Sequence, residues 1–271
     1  MNLFEYAGGS APLLVSMPHI GSYVPEAIRS RLTAAGKAVA DTDWNLDRLY
    51  GFLAALGVSV LAATHSRYVI DLNRAPDDRA LYPGMRHTGL VPTETFDGAP
   101  LYGPGDSPDP AEVAERRERY WRPYHAQLAA ALAAIGRRHG RVVLFDCHSI
   151  RSVVPRYAAD RIADFNLGTA DLATCAPELR RTIADALARD SRYTLRVDGL
   201  FKGGFIPRHY AAPGAGIHAF QLELSMATYM RERPAPVFDE ELAERVRPTL
   251  RAMLEAAIAW ASGRAGCRAL E

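Results

Sequence analysis

The sequence predicts an α/β protein built around a central sheet. Short apolar runs, typical of buried strands, alternate with amphipathic helical stretches, which is the pattern of a wound sheet. Four of the runs end in polar residues, namely LLVSMPHIG (13–21), RYVIDLNR (67–74), VVLFDCHS (142–149) and FQLELS (220–225). Because ligands of open α/β sheets bind outside the carboxyl ends of the strands, these four segments predict one polar site at a rim of the sheet.

The first part of the chain is predicted to alternate strand, helix and strand. The predicted elements are, in order, a strand at 12–17, a turn at Pro18–Gly21, a helix from Asp41–Asp43 to Gly57, and strands at 58–63 and 68–72. Glycine is common just beyond a helix, which supports the helix end. Residues 75–108 are rich in Pro, Gly and Asp and lack periodicity, so they are expected to form a long rim or lid over the site.

The second part continues the alternation. The predicted elements are a helical stretch from Pro110 to Gly140 that breaks, kinks or restarts at Pro123, a strand at 142–146, a helix near 176–190, a strand at 193–198, a glycine-rich turn FKGGF (201–205), a strand at 217–224 and a helix at 240–261 interrupted near Pro248. No internal repeat or linker interrupts this order, so residues 1–271 are expected to form a single domain.

Composition excludes several classes of function. The chain has 271 residues, of which 48% are hydrophobic, and a net charge of +1 without a basic block, which argues against a nucleic-acid partner. The three cysteines, Cys147, Cys175 and Cys267, form no CxxC pair and favour a reducing compartment. The N-terminus lacks the features of a signal peptide, and no apolar run approaches the length of a membrane span. We therefore expect a cytoplasmic protein without a membrane partner.

Two histidines are candidate metal ligands. His148 ends an apolar run two residues after Asp146, so the two side chains share one face of a strand while Cys147 points the other way. His19 follows the first predicted strand, next to Pro18. Each histidine could instead make only a local hydrogen bond or lie at the surface, but two histidines at equivalent strand ends strengthen the interpretation as ligands.

A carboxylate would complete a three-ligand site with one position open. Asp43 and Asp47 are four residues apart and would share a helix face, so either could supply it. Asp43 also lies where the helix would begin, and its alternative role is an N-cap, although Asp41 or Thr42 could cap instead.

Glu223 is the candidate general base. It alternates with Leu222 and Leu224 in an apolar run, where a carboxylate is costly unless it is paired or functional. A buried salt bridge to an arginine is the alternative. Catalysis would require it to deprotonate a water molecule and then protonate the leaving amine.

Several side chains could bind an anionic substrate. Arginine's planar fork matches carboxylates and can also stabilise a developing oxyanion. The candidates are Arg67, Asn73, Arg74 and Arg208, with surface solvation as the alternative for most of the arginines. The chain contains no HExxH, GxSxG or P-loop motif, which disfavours serine-hydrolase and nucleotide-binding functions.

Taken together, these segments resemble the N-formylglutamate amidohydrolase family. The matching stretches, in the family's order, are SMPHIGSYVP (16–25), DTDWNLDRLY (41–50), SRYVIDLNR (66–74), FDCHS (145–149), FKGGFIPRHY (201–210) and HAFQLELSMATYM (218–230). The family is similar to zinc carboxypeptidases and aspartoacylase, which implies a three-layer α/β/α sandwich around a mixed sheet. Aspartoacylase-like enzymes carry H-x-x-E as their first zinc segment, but Ser22 stands at the acidic position here, so Asp43 is expected to replace that ligand.

The resemblance implies zinc-dependent hydrolysis of N-formyl-L-glutamate to formate and L-glutamate in a route of histidine degradation. One Zn²⁺ would be held by His19, Asp43 and His148, with Asp47 as the alternative carboxylate. Glu223 and Arg67 would be catalytic, and Asn73, Arg74 and Arg208 would bind the substrate. The partner is then a small anionic N-acyl amino acid. Alternatives are hydrolysis of another N-acyl or N-formimidoyl amino acid, or a catalytically silent ligand-binding relative.

Overall fold

A seven-stranded sheet forms the centre of the molecule. The computed structural model describes residues 1–80, 88–158, 160–232 and 236–263. The strands are β1 (Phe4–Ala7), β2 (Leu13–Met17), β3 (Ser59–Ala63), β4 (Val142–Ile150), β5 (Phe165–Gly168), β6 (Leu195–Val197) and β7 (Ile217–Ser225), and a separate hairpin pairs β8 (Met230–Arg231) with β9 (Val237–Phe238). The order in the large sheet is β1-β3-β2-β4-β7-β5-β6.

The sheet is mixed, as the resemblance implies. Strands β3, β2, β4 and β7 run parallel to one another, and β6 runs parallel to β5. In contrast, β1 pairs antiparallel with β3, and β5 pairs antiparallel with β7. The three strands β2, β4 and β7 therefore lie side by side with their carboxyl ends at the same edge.

Helices flank this sheet. They are α1 (Glu26–Arg29), α2 (Ala34–Lys37), α3 (Leu46–Leu49), α4 (Pro110–Arg116), α5 (Arg122–His139), α6 (Pro177–Ala188), α7 (Phe205–Tyr210) and α8 (Glu240–Ala261). A π-helical segment, Arg117–Trp121, joins α4 to α5. Asp109 caps α4 by accepting from the amide of Glu112. Pro123 lies in the first turn of α5, but it does not break the stretch, which is helical without a gap from Pro110 to His139.

Alternation along the central strands builds a core on each side of the sheet. Val143 and Phe145 of β4 pack into one core with residues of α6 and α8. Val142 and Leu144 pack into the other, with residues of α5. Asp146 continues the second face, because successive side chains of a strand point to opposite sides. The polar ends of β4 and β7 thus lie on the side of the sheet that α5 covers.

Several predicted elements differ from the structure. The helix predicted up to Gly57 is instead the short α3, which begins only after the left-handed Asn45 (φ 60°), and a separate 3₁₀ turn at Leu53–Leu56. Residues 68–72 form turns and irregular backbone rather than a strand. Helix α8 runs through Pro248 without interruption, since this residue is on the exposed face, where the carbonyl that loses its donor can meet water.

Some features were not predicted at all. The edge strand β1, the short strand β5 and the helices α1, α2 and α7 had no assigned element in the sequence. The described part of 75–108 is largely irregular up to Asp109, as predicted, while 81–87 and Cys267 lie outside the described residues. Cys147 and Cys175 are free and buried. Within the described ranges, no helix is long and apolar enough to cross a membrane.

Candidate active site

Three buried side chains that were predicted as metal ligands meet at one point. His19, Asp43 and His148 each offer a ligand atom, and these atoms all lie within 4.8 Å of one another. Asp43 Oδ2 is 3.0 Å from His148 Nδ1 and 4.0 Å from His19 Nδ1. The two imidazole rings lie 4.8 Å apart, centre to centre. Two imidazoles and one carboxylate form a donor set that suits a zinc ion with an open coordination position.

The fold explains why distant residues meet here. His148 lies near the end of β4, and His19 follows the neighbouring parallel strand β2. The backbone that follows β2 lies close to the backbone that follows β3. A Cβ on Gly21 would come within 2.6 Å of the backbone at Thr64 and His65. The amide of Asp43 donates to the carbonyl oxygen of His19 at 3.0 Å, which fixes the carboxylate beside the imidazole.

Asp43, rather than Asp47, is therefore the carboxylate in this cluster. Asp47 is exposed in the first turn of α3. Asp43 does not cap that helix, since the N-cap position is Asn45. Asp41 does not cap it either, because its Oδ2 accepts from the hydroxyl of Tyr68 and from the amide of Phe96.

Each histidine is held by a second carboxylate on its other nitrogen. His19 Nε2 lies 2.7 Å from Asp71 Oδ1, and His148 Nε2 lies 2.9 Å from Asp146 Oδ2. Both rings therefore present Nδ1 to the centre of the cluster. Within the described residues, His19 Nδ1 is buried and has no hydrogen-bond partner. A carboxylate that orients the remote nitrogen of a ligating histidine is common around bound metal ions.

Electrostatics favours opposite protonation of the two imidazoles. Burial, followed by the charge of Arg67, lowers the pKa of His19, so this ring is neutral and keeps a lone pair on Nδ1. Burial also disfavours the protonated form of His148, but the carboxylates of Asp146 and Asp43 outweigh this effect and raise the pKa of His148 well above its usual value. A cation bound at the centre would take the place of the proton on His148 Nδ1, because a ligating imidazole must be neutral.

Glu223 lies beside this group on β7. Its register partner on β4 is His148, just as Gln221 is the partner of Asp146. Burial raises the pKa of Glu223 to about 8, with the nearby positive charge of His148 opposing that rise. Gln221 Nε2 donates to Glu223 Oε2 at 3.1 Å, so one carboxyl oxygen has a fixed donor. A carboxyl group with a pKa in this range can both accept and donate a proton near neutral pH.

Arg67 is also buried in this region. Its Nη2 donates to Asp71 Oδ2 at 2.6 Å, and its guanidinium lies 4.8 Å from the centre of the Phe96 ring. Burial disfavours the charge of Arg67, but Asp71 and Asp43 outweigh this effect and raise its pKa. Arg74 approaches the same carboxylate, with Nε 3.9 Å from Asp71 Oδ2. Among the described residues this buried Nε has no hydrogen-bond partner.

Asn73 and Arg208 occupy different surroundings. Asn73 Nδ2 donates to Asp146 Oδ2 at 2.8 Å and lies 3.0 Å from His148 Nε2, while its Oδ1 accepts from the amide of Ile206 at 2.7 Å. Both ends of this amide therefore bond to protein groups, and its predicted contact with substrate stays a prediction. Arg208 is exposed on α7, where its Nε donates to the carbonyl oxygen of Gly203.

The glycine-rich turn before α7 packs against this asparagine. A Cβ on Gly204 would lie 2.3 Å from Asn73 Nδ2, so only glycine allows the approach. The amide of Gly204 donates to Gln221 Oε1 at 2.7 Å. The turn thus connects Asn73 with Gln221, the residue that holds Glu223.

The roles of two residues were missed in the sequence. Asp71 was part of the quoted DLNR segment, but its contact with His19 spans 52 residues and has no local signal. Gln221 lies two residues before Glu223, so the two side chains share a face of the strand, and the hydrogen bond between them follows from that spacing. The two-residue spacing of Asp146 and His148 did indicate a carboxylate that supports an imidazole, and this contact is observed.

The fold and this cluster define a class of protein. A buried donor set of two histidines and an aspartate, at the carboxyl edge of a mixed sheet and beside a carboxyl group that can exchange protons, is typical of a hydrolytic enzyme.

Comparisons with known proteins define the family. Residues 11–230 match the sequence pattern of N-formylglutamate amidohydrolase. The N-formylglutamate deformylase of Pseudomonas putida is 42% identical over 262 residues, covering 97% of this chain and 98% of the relative. That of Pseudomonas aeruginosa strain PAO1 is 44% identical and covers 95% and 97%. The chain therefore belongs to the N-formylglutamate amidohydrolase family, and it is an amidohydrolase.

Solved structures agree with this assignment. The N-formylglutamate amidohydrolase of Ralstonia eutropha JMP134 superposes with a TM-score of 0.79 at 29% identity, covering 94% of this chain and 97% of that one. A protein of Agrobacterium tumefaciens shares the fold, with a TM-score of 0.71 at 17% identity and coverage of 94% and 95%.

Proposed function

We propose that the protein is a zinc-dependent enzyme that hydrolyses N-formyl-L-glutamate to formate and L-glutamate, as a step of histidine degradation. The observation that carries the proposal is the convergence of His19, Asp43 and His148 beside Glu223. The names of the two Pseudomonas relatives supply the substrate, because they match nearly the whole chain.

One atom of the donor set, His19 Nδ1, supports the binding of a zinc ion because it lacks a hydrogen-bond partner among the described residues. His19 Nδ1 is buried without a partner in the described part of the chain, which is costly unless a ligand binds there. His19, Asp43 and His148 would hold the ion, and Asp71 and Asp146 would orient the two imidazoles. When bound, zinc acts as a Lewis acid that polarises the amide and acidifies water.

Glu223 moves the proton in this scheme. It takes a proton from the water molecule that attacks the formyl carbon, and it returns that proton to the nitrogen as the C–N bond breaks. The products are the free amine of glutamate and formic acid, which ionises to formate, and the carboxylate of Glu223 is restored for the next cycle. Gln221 keeps one oxygen of Glu223 fixed throughout, which leaves the other oxygen to exchange the proton.

Arginine side chains supply the positive charge that an anionic substrate requires. N-formylglutamate carries two carboxylates, and guanidinium groups bind carboxylates through paired hydrogen bonds. Among the described residues, the buried Nε of Arg74 has no hydrogen-bond partner, so Arg74 is our first candidate for this contact, with Arg208 on α7 as the second. Arg67 is anchored by Asp71 next to the metal ligands, and we assign it to the oxyanion that develops on the formyl oxygen.

Metal analysis combined with a formate-release assay tests the proposal. The purified protein should contain about one zinc ion per chain and should lose activity with a chelator and regain it with zinc. The assay should include N-formylaspartate and N-formimidoylglutamate as controls. If kcat/KM is higher for either control compound than for N-formylglutamate, that compound is the better substrate and the substrate assignment is wrong. Binding of glutamate-like ligands without any turnover would refute catalysis.

A further inference from the structure

The loop that carries much of the site, residues 67–76, is not part of the sheet. We call it the site loop. It contains Arg67, Asp71, Asn73 and Arg74, yet its residues form turns. A buried loop has no strand ladder to satisfy its backbone carbonyl groups, and unpaired buried carbonyls are rare in folded proteins.

Side chains of the helical stretch α4–α5 supply the missing donors. The donors and acceptors are Arg116 Nη1 to the Val69 oxygen at 3.1 Å, His125 Nε2 to the Leu72 oxygen at 2.9 Å, Trp121 Nε1 to the Arg74 oxygen at 3.1 Å, and Arg117 Nη1 to the Pro76 oxygen at 3.1 Å. Four carbonyls of one loop are thus bound by four side chains of one helical stretch.

The π-helical segment Arg117–Trp121 explains how these donors come to one side. In an α-helix, residues five apart are rotated by about 140° beyond a full turn, so Arg116 and Trp121 would point in different directions. A π-helical turn, with its i→i+5 hydrogen bonds, brings residues five apart close to one face. Trp121 and His125 are then four apart in regular α-helix and share that face.

His125 connects the site loop to a second element of the site. Its ring stacks on Trp121, with 3.6 Å between ring centres and 19° between planes, and its Nδ1 lies 2.9 Å from the hydroxyl of Tyr210 on α7. Burial lowers the pKa of His125 to about 3, so the ring stays neutral and donates from Nε2. Helix α7 in turn binds Asn73 through the amides of Phe205 and Ile206.

We propose that the π-helical turn Arg117–Trp121 sets the position of the site loop, with Trp121 and His125 as positioning residues that keep Asp71 and Asn73 against the two imidazoles. The inference rests on the proposed function for its link to the metal. The contact of Asp71 with His19, and that of Asn73 with His148, both depend on where this loop lies.

Two measurements on the full-length protein test the inference. Amide hydrogen exchange of the metal-free protein reports the site loop directly, through the amide of Asp71, which donates to the Leu90 oxygen, and that of Asn73, which donates to Asp71 Oδ1. Zinc titration then reports the coupling to the ligands. We expect His125→Leu and Trp121→Phe to speed exchange in the loop at least about tenfold, and to weaken zinc binding at least about tenfold, the lower end for loss of support around a metal ligand.

Rescue and control variants separate positioning from general destabilisation. His125→Gln keeps a side-chain donor for the Leu72 carbonyl and should restore most of both properties. Ile183→Ala in α6, in the core on the other side of the sheet, should lower the melting temperature without either change. Trp121→Phe removes the hydrogen bond to the Arg74 carbonyl but keeps an aromatic ring beside His125. It therefore still tests the inference if His125→Leu does not fold.

The outcomes are distinct. Loop exchange at the parental rate in both variants would overturn the inference, as would faster exchange with unchanged zinc affinity. If the parent protein itself binds no zinc, the proposed metal site fails, while the exchange measurement still decides whether Trp121 and His125 position the loop.

Discussion

Replacing Asp71 with asparagine removes one charge from the centre of the site while keeping the side-chain shape. Asp71 accepts from Arg67 at 2.6 Å and contacts His19 at 2.7 Å, and it is fully buried. The Asp71→Asn variant would leave the Arg67 guanidinium buried without its closest carboxylate. Breaking a buried ion pair from one side costs about 3–5 kcal/mol of unfolding free energy. For 271 residues this corresponds to a fall in melting temperature of about 5–9 °C.

The pH dependence gives this prediction a second signature. Burial opposes ionisation of Asp71, but Arg67 and His19 hold its pKa well below the usual value. A carboxyl group whose pKa is lower in the folded protein than in the unfolded chain stabilises the folded state. This stabilisation is fully present above the unfolded-state pKa of about 4, and it is lost as the pH falls through the folded-state pKa. The difference in stability between parent and Asp71→Asn should therefore be largest above pH 4 and shrink in acid.

Thermal unfolding in the presence of a chelator, from pH 3 to pH 7, measures both effects. Zinc titration of the same proteins should show an affinity about 10–100-fold lower in Asp71→Asn, because His19 loses its orienting carboxylate. Glu255→Gln is the control, since it removes a carboxylate from the exposed pair with Arg251 on α8 and should leave both readings unchanged. An Asp71→Asn protein with the parental melting temperature and zinc affinity would refute this account of the site.

Three further experiments test the remaining assignments. Glu223→Gln should retain zinc and fold but lower kcat by at least about 100-fold in the formate-release assay, and near-normal activity per zinc-loaded molecule would rule out its catalytic role. Asp43→Asn should lose far more zinc than Asp47→Asn by metal analysis, because Asp47 is exposed on α3, and the reverse order would move the ligand. Arg74→Lys should raise KM with little change in kcat if this residue binds a substrate carboxylate in the ground state; unchanged kinetics would remove it from the site.

The elements predicted best from sequence are those with a strong local pattern. Strands β2, β4 and β7 are long apolar runs, and their polar ends meet at one edge because the strands are parallel neighbours. That geometry made His19, His148 and Glu223 recognisable as one group. Asp43 could be predicted only as one of two choices, since its place is fixed by a hydrogen bond from its amide to the carbonyl of His19, which has no local sequence signal.

The site loop shows why the rest could not be predicted. Its apolar residues Tyr68, Val69 and Ile70 are buried, as they would be in a strand. A buried strand and this buried loop therefore have the same pattern of hydrophobic residues. The difference lies in what binds the backbone carbonyls, and those donors are side chains of α4–α5, more than 40 residues away in the chain. Short elements such as β5, with four residues, likewise depend on pairing with β7 rather than on their own sequence.

The wide separation of the proposed ligands along the chain determines when a metal ion can act during folding. The ligands Asp43 and His148 are 105 residues apart, and the ligand His19 is 52 residues from Asp71, the carboxylate that orients it. Contacts between such distant residues form only after the intervening chain has been organised, because closing long loops costs entropy first. The sheet must therefore assemble through the hydrophobic cores of the apoprotein, unlike a small zinc domain that folds around its ion. Zinc would then bind a finished framework and add stability by mass action.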